Sequence, residues 1–181
     1  GRDRWYLEAL AIACRGRESA AFQALAESWK GKWTPAESGI TWVLHPPEAA
    51  AFLAHRLADP ALSEDGRKEV ARALAAMEGR EGGAELVKVL RGDAPAALKA
   101  EIVEILEPRL SGPWRHLRED EDLVVAARLL LGAPNLEAGG ARLAGAAVLR
   151  ALRPDLEAIA AGKAGTVAEA RAAAVRALGA I

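Results

Sequence analysis

The sequence predicts an all-α fold: a right-handed α-α superhelix of about eleven helices arranged in five to six helical hairpins. Three observations predict it. Residues that can start a helix stand at Asp3, Thr34, Ser63, Asp93, Asn135 and Thr166, in nearly even steps of about 30 residues with one longer step between Asp93 and Asn135. A recurring unit of about 30 residues carrying two helices cannot bury its apolar faces alone, so such units stack side by side. The apolar fraction of 51% is dominated by Ala and Leu while aromatics reach only 4%, a mixture that suits closely packed helices and not a sandwich of strands. Finally, the apolar residues recur at helical spacing through the whole chain, as the units below show.

In the first unit Asp3 can cap a helix reaching about Arg15, with Gly16 as the left-handed residue that stops it. A second helix is expected over 18–30, with Phe22, Leu25, Ala26 and Trp29 on one stripe and Gly31 at its end. Thr34, Pro35, Ala36 and Glu37 then combine a capping hydroxyl, proline at the first helical position and a carboxylate three residues beyond the cap. That combination satisfies or avoids orphan backbone donors and fixes the start of the second unit. Its first helix stops by Leu44, because His45 precedes Pro46 and is driven toward an extended conformation. Pro47 opens the partner, whose stripe is Ala50, Leu53, Ala54 and Leu57, closed by Asp59 and Pro60.

Ser63 starts the third unit, with Glu64 and Asp65 in the first turn and Val70, Leu74 and Met77 facing inward. A returning helix covers about 81–91 and stops at Gly92. Asp93 and Pro95 start the fourth unit, with Leu98, Ile102, Ile105 and Leu106 inward and Glu101, Glu104 and Glu107 outward. A segment from Pro108 to Glu119 then delays the partner helix, which carries Leu123, Ala127 and Leu130. This segment accounts for the one long step, and insertions in stacked repeats fall in loops. The fifth unit places Leu136, Gly140, Leu143, Ala144, Ala147, Val148 and Ala151 on one face, followed by a short helix with Leu156 and Ile159. Thr166 to Glu169 again has capping-box chemistry, and the last helix carries Val167, Ala170, Ala174, Val175, Leu178 and Ile181 on one side. The whole of 1–181 reads as a single solenoid domain. The unpaired apolar stripe of its last helix marks it as a segment of a longer multidomain chain; the alternative is a helix that folds back as a cap.

With 24 Lys and Arg against 25 Asp and Glu, the net charge is −1 and gives no overall field for nucleic acid or an anionic membrane. No run of 18 apolar residues occurs, so no membrane contact is expected from this segment. Cys14 is the only cysteine and falls on the stripe Leu7, Leu10, Ala11, which reads as a buried thiol and excludes an internal disulfide. His45, His55 and His116 share no metal-ligand spacing, no nucleophile elbow is present, and Gly79, Gly82 and Gly83 follow a helix and read as a connector, not a phosphate loop. His55 and Asp59 are four residues apart, which suits a surface pair better than a catalytic dyad. No catalytic residue, cofactor site or metal site is assigned, and the segment is read as non-enzymatic.

Four of the tryptophans, Trp5, Trp29, Trp33 and Trp42, crowd near the start of the chain. They read as filling between the first helix pairs, with an aromatic ligand surface as the alternative. Trp33 fits neither stripe and stands where a residue could staple onto the next helix. The insertion Ser111, Gly112, Pro113, Trp114, Arg115, His116, Leu117 and Arg118 places an aromatic beside basic side chains on a loop. Trp114, Arg115, His116 and Arg118, with Trp33, form the candidate interaction set, a packed connector being the competing reading of Trp114. Glu119 to Asp122 read as charges on the first turn of the next helix.

The last helix, Glu169 to Gly179 with Arg171 and Ala174 at recurring positions, resembles the first helix of a HEAT-type repeat, and the short period is similar to HEAT-like repeats of the phycobilisome-lyase type. The opening, Gly1 to Leu10, resembles the HEAT-like segment of large exported bacterial proteins that join a dehydrogenase-like β-propeller to a PVC-type haem-binding cytochrome domain; the Trp42 helix followed by Pro46 and Pro47 is compatible with it. That resemblance implies a scaffold or docking segment, periplasmic or exported, with protein partners in neighbouring domains. The family's haem site needs Cys-x-x-Cys-His, which Cys14 alone does not supply, so redox chemistry would belong to other domains. An independent protein- or peptide-binding HEAT adaptor is the second reading, and a HEAT-fold enzyme, a DNA glycosylase or a chromophore lyase, the third.

Overall fold

A computed structural model of the chain describes residues 4–29, 35–44, 46–59, 61–77, 79–162 and 167–181. Asp3, Trp33, Thr34, His45, Pro60 and Thr166, with the side chain of Trp42, lie outside the described residues, and so do the expectations attached to them. Among the described residues the fold is all-α, with eleven α-helices and no strand. The contacts gather into two compact units, residues 1–77 and 78–181.

The first unit contains α1 (Arg4–Ala13), α2 (Glu18–Trp29), α3 (Pro35–Leu44), α4 (Pro47–Leu57) and α5 (Glu64–Ala75). Gly16 adopts φ +76, the left-handed stop expected after the first helix. Pro46 is extended and Pro47 begins α4, as the double proline dictates. Ser63 caps α5: its Oγ accepts the Gly66 N–H at 3.1 Å. Ser63→Ala should therefore cost about 1 kcal/mol, read as a lowered urea midpoint, with Ser63→Asp restoring it. The helices alternate between two layers, α1, α3 and α5 in one and α2 and α4 in the other. α2 and α4 meet through an aromatic cluster, Phe22, Trp29 and Phe52, with ring centroids 5.8–6.2 Å apart in edge-on and tilted arrangements. Trp29 is buried and has the core role its stripe predicts.

The second unit contains α6 (Arg80–Arg91), α7 (Ala96–Arg109), α8 (Glu121–Leu131), α9 (Glu137–Ala147), α10 (Arg153–Ala160) and α11 (Ala168–Ala180). It alternates in the same way: α7, α9 and α11 form one layer, α6, α8 and α10 the other. In both units the closer sequential partners are α2 with α3, α4 with α5, α8 with α9 and α10 with α11. The tight pairs thus straddle the units drawn from the sequence, one helix out of phase with them.

Several helix boundaries correct the sequence reading. Gly82 and Gly83 are buried inside α6, not in a connector. Asp93 does not cap α7; Pro95 does, with φ −55 and ψ 143, because the ring fixes φ and bars the preceding residue from helical geometry. The helix also continues through Pro108 to Arg109, whose Nη1 donates to the Ile105 carbonyl at 3.0 Å near the point where proline removes a backbone donor. Asn135 is a turn residue at φ 65, and Leu136 stands at the cap of α9. Val167 stands at the cap of α11 with no side-chain capping bond of its own, one residue beyond the expected cap at Thr166, which lies outside the described residues. The capping sites that are described still keep the repeat: Ser63, Pro95, Leu136 and Val167 follow one another in steps of about 30 residues, lengthened only where the 110–119 segment intervenes.

The expected stripe through Val148 to Ala151 is broken. Val148 takes φ 58 and ψ 46, its N–H donates to the Gly145 carbonyl at 3.2 Å, and the Leu149 N–H donates to the Ala144 carbonyl at 2.9 Å. Those two bonds define a Schellman motif with a β-branched residue where glycine normally sits. The left-handed region costs an L residue about 1–2 kcal/mol. Val148 is 38% exposed and loses little packing on truncation, so Val148→Gly should raise stability by about 1 kcal/mol in a denaturant titration.

Candidate interaction surface

The segment between α7 and α8 is built from turns followed by a short 3-10 helix, Arg115–Glu119. Its backbone is held locally: the Trp114 N–H donates to the Arg109 carbonyl at 3.0 Å, and the Leu117 N–H to the Trp114 carbonyl at 2.9 Å. These bonds turn Trp114 inward, where it is 0% exposed. Its Nε1 donates to the carbonyl of Gly79, the residue preceding α6, at 3.1 Å. The Arg109 guanidinium carbon lies 5.5 Å from the ring centroid. Gly83 supplies the room: a Cβ there would lie 2.8 Å from the indole and 2.6 Å from Leu117. Trp114 is therefore a packing residue that straps the segment onto α6, and it is withdrawn from the interaction surface.

The remaining candidates are dispersed by this burial. Arg115 is exposed, His116 is half-buried with an unbonded Nε2, and Arg118 is half-buried with its Nη2 donating to Ser111 Oγ at 3.2 Å. The acidic run divides as expected, with Asp120 capping α8 by accepting the Asp122 N–H at 3.0 Å and Glu121 and Asp122 in the first turn. Asp120 and Asp122 also meet Arg80 and Arg91 of α6, at 3.7 and 2.6 Å, and Arg128 of α8 meets Asp155 of α10 at 3.6 Å. In the other layer Arg142 of α9 reaches Glu104 at 2.6 Å and Glu107 at 3.6 Å on α7. These arginines are spent on neighbouring helices and form no basic patch.

Two apolar surfaces stand open among the described residues. On α1, Trp5, Tyr6 and Ile12 are exposed, Trp5 by 74%; the crowding of tryptophans near the start of the chain does not place it in the core. On α11 the buried residues are Ala170, Ala173, Ala174 and Ala177, so the stripe expected to stand unpaired divides: Ala170 and Ala174 are packed, while Val167 and Val175, the latter 59% exposed, stand open. The spacing of Ala168, Ala172, Val175 and Gly179, all on one helical stripe, carried that signal. Among the described residues no group of three or more His, Cys, Asp and Glu side chains is placed to hold a metal ion, and no helix is long and apolar enough to cross a membrane. Comparison with protein-family models, curated proteins and solved structures yields no match to this chain.

Proposed function

We propose that the chain is a HEAT-like α-solenoid segment that acts as a non-catalytic scaffold, spacing or docking protein domains in a larger exported protein of the dehydrogenase–cytochrome kind. The observation that carries this reading is the alternation of successive helices between two layers in each unit, because helices stacked in this way generate extended surfaces. The near-constant spacing of the capping sites and the resemblance of Gly1 to Leu10 support it. Fold alone names no activity, so the test lies in the gene. Coding sequence on either side of this segment should specify a propeller-like domain, a Cys-x-x-Cys-His haem motif and an export signal. A free-standing reading frame of this length would overturn the proposal.

The adaptor reading is favoured by the exposed Trp5, Tyr6 and Ile12 of α1, since aromatics that a partner can bury make strong anchors. It no longer draws on the Trp114 segment, which is packed inward.

A further inference from the structure

We draw no further inference here: the strongest candidate, the groove of about 220 Å³ between α9 and α11 lined by Arg142 and Arg176, carries nothing, because Arg142 is already met by Glu104 and Glu107 of α7 and the small residues lining the rest of the groove point to no ligand.

Discussion

Trp114→Ala is expected to destabilise the second unit by about 3–5 kcal/mol, the range for removing a buried large aromatic. The side chain is fully buried, and the alanine would leave a cavity between Arg109, Gly83 and Leu117. The lost hydrogen bond to Gly79 is the smaller term, because a typical neutral bond contributes about 0.5–1.5 kcal/mol net. Trp114→Phe separates the two: it keeps most of the packing, removes the donor, and should cost about 1–2 kcal/mol. Total stabilities of about 5–15 kcal/mol make the alanine change a large fraction of the whole. Hydrogen exchange localises the effect, with protection in α6, the 110–119 segment and α8 falling by about two to three orders of magnitude for Trp114→Ala. A Trp114→Ala protein with unchanged exchange in those elements would return Trp114 to the surface and to the interaction set.

What could be read from the residues alone was whatever rests on local chemistry. Ser63, Pro47 and Gly16 act within one turn of themselves, by a hydroxyl, a fixed φ and a missing Cβ, and each appears where the sequence places it. The all-α class follows from the same short-range signals repeated along the chain. The errors come where a second element decides. Asp93 is a good capping residue, but Pro95 two residues later sets the backbone. Val148 has no stop signal in its own chemistry; the buried Leu149 and the two Schellman bonds fix the turn. Trp114 looked like a loop aromatic because nothing local reveals that Gly83, far back in the chain on α6, leaves room for an indole. The unpaired apolar stripe of the last helix is legible in the sequence, but its bounds are not: Ala170 and Ala174 are buried and Val167 and Val175 exposed, a division set by the neighbouring helices and not by the residues' own chemistry.

The adjacent glycines of α9 supply the second large effect, because they should respond to the same substitution with opposite signs. Glycine in a helix interior costs about 1 kcal/mol relative to alanine, so Gly→Ala is favourable wherever a methyl fits. At Gly139 it fits: a Cβ would lie 3.6 and 3.7 Å from the two methyls of Val103 on α7, ordinary contact distance. Gly139→Ala should therefore gain about 0.5–1 kcal/mol. At Gly140 a Cβ would lie 2.7 Å from the Leu131 nitrogen and 3.0 Å from both the Ala127 carbonyl oxygen and the Leu130 Cβ. Two of those atoms belong to the backbone of α8, so no rotamer change relieves the clash and the two helices must separate. Overpacking of this kind costs about 1–3 kcal/mol and outweighs the helix-propensity gain, leaving Gly140→Ala destabilised. Gly140→Val adds two methyls to the same contact and should cost about 3 kcal/mol or more. Urea titrations of the three variants read the result directly. Gly140→Ala at or above wild-type stability would mean that α8 and α9 do not approach so closely, and the tight pairing of α8 with α9 would lose its basis. The same measurement bears on the stacking itself, since α9 closes to backbone contact with α8 across the layers at Gly140 and with α11 within its own layer at Gly145, and each crossing needs a residue without a side chain.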